Sequence, residues 1–347
     1  MVTYKDYSLG IRIDEETSYA TGGVEADALS IGKVTNFSST ATDNVHRLLG
    51  IGEGRNETSY VYGNVDITGS MEWIVLAQMN DTIGSISLLK FGMGLVQGAG
   101  STASPYEMVE LDEIGYSATT LYTFAMWAQN EGGTTDDVDK YEGCTINSFT
   151  LTATQGDTLK ASMDWVAQKV TSAAAITTAY AAPTSAPWVF QQGSFKWGAA
   201  PTAVAKVSSF SITVANSPLI YRSLGSRFIE QPEMGRRLYD FSVTVKMTDS
   251  IATTLRDDFY GQANSFVAGT DPSTITANDE IALTFVEGAG ASGDKTMVVE
   301  LDQCAIGSMS KAVPVGQGLV EVTFTGFAKS GKPDSTDNVF LRYWTIT

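Results

Sequence analysis

One stretch of this 347-residue chain occurs twice. Lys33, Phe37 and Ser38 return as Lys206, Phe210 and Ser211, each 173 positions on (206 − 33, 210 − 37). Arg47 and Gly50 return as Arg222 and Gly225, 175 positions on (222 − 47, 225 − 50). A repeat of this kind restricts the chain to architectures built from two similar units, and its length suits two domains of ordinary size, each with its own core. The expected division is an N-terminal arm or edge segment over 1–30 and a first domain over 31–170. An extended linker rich in Ala and Thr then covers 171–187, followed by a second domain over 188–330 and a C-terminal strand over 331–347. That last strand, around Phe340, Tyr343 and Trp344, carries too much aromatic surface to stay exposed, so it is either core or a contact with another subunit.

Many Thr, Ser, Val, Gly and aromatic residues favour strands and turns, so the chain is expected to be mainly β. From Val65 the pattern alternates: Val65, Ile67, Met71 and Trp73 point one way, Asp66, Thr68, Ser70 and Glu72 the other. The second copy repeats it, with Phe241, Val243, Val245 and Met247 opposed to Ser242, Thr244, Lys246 and Thr248. Each set reads as a half-buried antiparallel strand. The polar runs 42–63 and 215–239 are too long for tight turns and fit extended hairpins.

Asn80 to Thr82 precede Ile83, Ile86 and Phe91, and Thr248 to Ser250 precede Ile251, Leu255 and Phe259. With Gly92 and Gly261 behind them, these segments predict one short capped helix per copy. A Gly/Ser/Ala-rich insertion over 92–120 separates the first helix from the strand at 121–127, and the second copy reaches its counterpart strand at 281–286 by a shorter loop. Each copy closes with two strands about a Gly turn, and beyond that turn Met163 aligns with Phe324 only after a one-residue shift.

The search for chemistry mostly excludes it. A net charge of −17 disfavours tight, sequence-independent binding of polyphosphate. The lone histidine, His46, and the cysteines Cys144 and Cys304 form no metal-ligand cluster, so no metal or other cofactor is expected. The two cysteines hold matching places in separate copies, which predicts two buried free thiols. Gly50, Gly52 and Gly54 resemble a phosphate loop but lack the following Lys and Ser/Thr. Carboxylates at 14–16, 112–113, 136–137 and 257–258 leave a carbohydrate-active enzyme with paired acids as one alternative. A capsid decoration or receptor-binding baseplate protein is another. Neither a signal-peptide pattern nor a bilayer-spanning apolar run is present, so a soluble, cytoplasmically made protein without a membrane partner is expected.

In each copy a strand with Val, Phe and Ser leads into a long hairpin ending in Arg and Leu-Gly, then an alternating strand, a short helix and a closing hairpin. This order resembles the tail tube, or major tail, proteins of long-tailed viruses. Glu16, Thr17, Ser18, Tyr19, Ala20 and Thr21 are similar to an opening motif of such proteins, with Ala20 where Gly is commoner. The resemblance implies a β-sandwich or split-barrel tube domain with one flanking helix, present in tandem, whose inner sheet joins its neighbours' sheets around a channel. It implies a non-enzymatic virion protein that self-assembles into stacked rings, three chains and six similar domains to a ring, through which DNA passes without tight binding. Tail terminator, tape-measure and distal tail proteins are the further partners implied. On that reading Asp66, Thr68, Ser70, Glu72, Ser242, Thr244, Lys246 and Thr248 line the channel, and Arg47, Leu48, Leu49, Arg222 and Leu224 contact the next ring.

Overall fold

The computed structural model describes residues 11–21, 23–24, 29–48, 59–77, 87–110, 123–130, 137–173, 185–198, 200–204, 206–233, 235–247, 255, 259, 279–288, 291–313, 320–334 and 337–346. The chain is mainly β. The first half supplies β1 (Ile11–Glu15), β2 (Leu29–Ser30), β3 (Lys33–Leu48), β4 (Ser59–Ile74), β5 (Gly94–Gln97) and β6 (Tyr106–Glu110). It continues with β7 (Thr123–Asn130), β8 (Asp137–Thr154), β9 (Lys160–Ala167) and β10 (Lys169–Ala173). The second half supplies β11 (Gly193–Gly198), β12 (Thr202–Ala203), β13 (Val207–Ala215), β14 (Leu238–Lys246) and β15 (Asp279–Val286). It ends with β16 (Lys295–Ala312), β17 (Glu321–Ala328), β18 (Ser330–Asp334) and β19 (Asp337–Thr345).

One antiparallel sheet runs β3–β4–β9–β8–β13–β14–β17–β16. It is two four-strand arrays with the same pairing order, joined where β8 meets β13. The irregularities repeat as well. Thr35 is the extra residue of a bulge in β3 and Ser208 of one in β13, while Asn147 and Gly307 hold the matching places in β8 and β16. Met163 lies opposite Met71, and Phe324 opposite Val243, so the shifted alignment read from the sequence is the one the strand registers follow.

β8 and β16 each run for 18 residues, too long for one layer of a small sandwich, and each serves two. Their first halves belong to outer sheets, β2–β1–β7–β8–β10 in one case and β12–β11–β15–β16 with β18 and β19 in the other. The corner where the strand leaves the outer sheet falls at Gly143 (φ 67) and Gln303 (φ 50), both in the left-handed region. Directly after it sit Cys144 and Cys304, free and buried, and burial pushes both thiols up.

The facing apolar sides of these sheets meet in one large cluster of buried residues spanning both halves, where separate cores were expected, and Ala125, Trp127 and Val138 of the first outer sheet form a small cluster apart from it. Trp73, Trp165, Trp188 and Trp197 are fully buried in it. The C-terminal strand is core: β19 lies between β16 and β6, with Phe340 and Leu341 buried and the Phe340 ring 5.8 Å from that of Phe149 on β8. The glycine-rich insertion therefore forms a hairpin, β5–β6, that reaches from the first half to the last strand. Arg342 on β19 fixes it by donating to Glu107 Oε1 (2.9 Å) and Glu300 Oε2 (2.5 Å), and the Tyr239 hydroxyl donates to Glu110 Oε1 (2.6 Å).

Three further expectations change. Residues 11–15 are no peripheral arm, because β1 lies between β2 and β7 with Ile11 and Ile13 buried. The turn after it is held by the buried Glu16 carboxylate, which accepts from the Ala20 (3.0 Å) and Gly143 (2.8 Å) amides. Burial raises the Glu16 pKa against these hydrogen bonds. Ala20 itself has φ 53, the conformation that makes Gly the commoner residue there. The expected linker begins as strand, since β10 includes 171–173, and ends against the first half, where the Trp188 amide donates to the Val75 carbonyl at 3.0 Å. The first helix, α1 (Lys90–Met93), is one turn long and follows a 3₁₀ turn at Ser87–Leu89. Gly92 lies inside it against the Phe149 ring, and Gly94 (φ 141) follows its end. The capping residues proposed at 80–82 and 248–250 lie outside the described residues, and of the second helix Leu255 and Phe259 are helical.

The two corners predict opposite responses. Gln303→Gly relieves a left-handed side chain and raises stability by up to about 1 kcal/mol. Gly143→Ala places a Cβ 2.9 Å from both Gln168 Cβ and the Tyr19 ring, and costs about 1–3 kcal/mol. Urea denaturation of both variants checks this, and a destabilised Gln303→Gly would contradict it.

Candidate assembly surface

The eight-stranded sheet buries one face and leaves the other open. The period-2 alternation places Ile67, Met71 and Trp73 of β4 and Phe241, Val243 and Val245 of β14 in the core. Thr68, Ser70, Glu72, Ser242, Thr244 and Lys246 consequently share the open face, all of them partly or fully exposed. Thr248 lies outside the described residues.

Strand register extends this face into rows that the sequence reading missed. One row runs Asn36, Glu72, Ser162, Thr150, Thr213 and Asp240, and another Lys160, Thr152, Ser211, Ser242, Thr325 and Ser308. Hydroxyls pair across strands: Thr150 with Thr213 and Thr244 with Thr323, each at 2.9 Å, and Ser38 with Ser70 at 2.8 Å. Such contacts satisfy side-chain groups without burying them. The same alternation in β8, β9, β13 and β17 would have found these residues, since Leu151, Ala161, Met163, Ile212 and Phe324 mark the buried parity.

Charge on the face is mostly negative or neutralised. Glu72, Asp164 and Asp240 are carboxylates, and Lys160 is paired with Asp157 at 2.8 Å; the Lys246 ammonium keeps its charge while donating to the neutral Gln155 Oε1 at 2.8 Å. Two shallow depressions occupy matching places, one lined by Ser38, Thr68, Ser70 and Asp164, the other by Ser211, Thr213, Asp240 and Thr325. Each holds a single carboxylate, which does not provide the acid pair of a glycosidase. The carboxylates at 14–16 are structural: Asp14 accepts from the Val24 amide, Glu15 pairs with Lys90, and Glu16 holds the turn. His46 is exposed on β3 opposite Val61.

The two hairpins differ. β3 and β4 stay paired from Lys33 opposite Ile74 out to Leu48 opposite Ser59, as an extended hairpin should. Arg47 and Leu48 are on this ladder, and Leu49 lies outside the described residues. In the second array β13 stops at Ala215 and β14 starts at Leu238, with one isolated bridge among the described residues, Leu219 to Glu233, between them. This segment folds back on the first hairpin, taking up β4 backbone where β9 ends. The Val65 amide donates to the Arg227 carbonyl (3.0 Å), Arg227 Nε to the Gly63 carbonyl (2.8 Å), and Arg227 Nη2 to Asp43 Oδ1 (2.5 Å). Arg222 donates to the Val65 carbonyl (3.3 Å) and pairs with Asp66. The structure thus brings together Asp66, a channel candidate, and Arg222, a ring-contact candidate. Leu224 is fully exposed beside them, and Leu219, Ile220, Tyr221, Phe228, Tyr60 and Tyr62 add exposed apolar surface.

The sheet has two open edges, β3 and the second half of β16, each paired on one side among the described residues. Unpaired edges recruit other strands unless they are guarded or closed.

A family model described as phage tail tube protein matches residues 10–326, from the start of β1 into β17. No curated protein matches the chain.

The fold-back predicts that Asp66→Asn loosens the 216–237 segment. A partly exposed ion pair is worth about 0.2–1 kcal/mol, so hydrogen exchange at the Val65 amide should rise about 1.4–5-fold. Unchanged exchange would show that the backbone contacts alone hold the segment.

Proposed function

This chain belongs to the phage tail tube protein family, a family of structural components of the virion tail, and from that premise we propose that three chains close into a ring whose rings stack into the tube. The carrying observation is the seam between β8 and β13. It shows how one four-strand array accepts another, and the open edges are the matching strands: β16 corresponds to β8, and β3 to β13. Repeating the seam between chains sets Ser308 opposite Thr42, Met309 opposite Ala41, Ser310 opposite Thr40, Lys311 opposite Ser39, and Ala312 opposite Ser38. Every edge is then paired, and three chains place six arrays around the axis.

On this reading the two arrays are copies of one duplicated domain, over 31–170 and 188–330, and the open face lines the channel. Its hydroxyls and carboxylates offer no cationic track for a phosphate backbone, so DNA passes without being held. Stacking falls to the hairpin surface with Arg47, Leu48, Leu49, Arg222 and Leu224, because a contact along the axis need not close. Tail terminator, tape-measure and distal tail proteins meet the ends of such a tube, and synthesis takes place in the host cytoplasm.

Thr40→Cys combined with Ser310→Cys tests the register. A short thiol-reactive cross-linker should join chains into a ladder that ends at the trimer, because Cys144 and Cys304 are buried and do not compete. Chains that never cross-link, and that show neither rings nor tubes by electron microscopy, would refute the reading. Assembled tubes should also fail to retain duplex DNA at low salt, and strong retention would refute the repulsive channel.

A further inference from the structure

The seam inside the chain and its counterpart between chains differ on their core side. Within the chain β8 presents Phe149, Leu151 and Ala153, and β13 presents Phe210, Ile212 and Val214, all buried. Leu151 lies directly opposite Ile212. At the open edges the matching positions are Met309 and Lys311 on β16 with Val313 just past its end, and Phe37, Ser39 and Ala41 on β3. A Lys–Ser pair therefore stands where the internal seam has Leu–Ile.

Lys311 shares the core-side parity. It lies opposite Val322 in the β16–β17 ladder, as Met309 lies opposite Phe324, and both partners are buried. Residues directly opposite in an antiparallel pair point to the same face. Lys311 itself is exposed, because the layer it points toward ends at this edge. Its opposite number across the joint, Ser39, already lies 2.7 Å from the Tyr141 hydroxyl. A charge directed inward from an edge strand opposes pairing, since a second strand can dock only by stripping water from the ammonium.

We propose that Lys311 guards the β16 edge against a second copy of this chain: it raises the concentration at which chains join, making the seam between chains the weak joint of the ring and the β8–β13 seam the permanent one. The proposal rests on the ring reading above, and it assigns that ring an assembly threshold set by one side chain.

Lys311→Leu restores the residue type of the internal seam. Burying Leu in place of Lys should lower the protein concentration at which rings or tubes appear by about tenfold or more. Onset is read by light scattering and electron microscopy, with urea denaturation of the unassembled chain as the control for folding. An unchanged or raised onset, in a protein whose Thr40→Cys and Ser310→Cys pair still cross-links between chains, overturns the guard and leaves the ring intact. Amorphous aggregation of Lys311→Leu without that cross-link also overturns it. If neither protein forms rings and neither cross-links, the ring reading itself fails and the guard with it.

Discussion

The antiparallel ladder between β8 and β13 is the contact on which the rest of the structure depends. A four-strand array alone has two edges whose amides and carbonyls need partners, and seven consecutive residue pairs, from Ser148–Ala215 to Thr154–Ser209, supply them on one side of each array. The ladder also joins the two open faces into one continuous sheet, so that a row of hydroxyls, Ser162, Thr150 and Thr213, runs between Glu72 on β4 and Asp240 on β14 without a break. A shift of β13 by one residue there would send Thr213 into the core and Ile212 to water.

That register is locked from behind. β8 is held on the outer sheet by β7 and β10 before it turns at Gly143, so its position along β13 is fixed by contacts far from the seam. Across the seam the β5–β6 hairpin binds β19, and Arg342, Glu107, Glu300, Tyr239 and Glu110 tie side chains from both halves. Phe149 against Phe340 adds a packed contact between the first half and the last strand. The internal joint is therefore double, with an inner ladder and an outer clamp, and the shared core follows from it.

Local patterns made much of this legible. Alternation identified β4 and β14 and the correct open face, and the one-residue shift that aligned Met163 with Phe324 matches the observed registers. The motif ending at Thr21 pointed to a position suited to Gly, and Ala20 is left-handed there. What escaped was long-range pairing. Nothing local to Tyr106–Glu110 tells that it will lie beside β19, and nothing local to Arg227 tells that Gly63 and Asp43 will receive it. The 216–237 segment resembles its counterpart at Arg222 and Gly225 yet does not extend as a hairpin, because the first hairpin is already there to fold against. Those contacts depend on the tertiary arrangement of the two halves, which no window of sequence contains.

Two arrays in one chain also permit what a ring of identical single domains cannot have. When every subunit is the same, every seam must carry the same residues, and a side chain that strengthens closure equally strengthens premature pairing. In the proposed ring the two seams draw on different residues. Leu151 and Ile212 can be optimised for permanence, while Lys311 and Ser39, the partners proposed for the seam between chains, remain poor ones in the free chain. The clamp through β6 and β19 sits at the permanent joint, where reversibility is not needed. In the proposed ring a seam folded in advance within each chain reduces the number of joints that must form between chains, and each remaining joint can then be weak alone and strong only when closure of the ring pairs all of them at once.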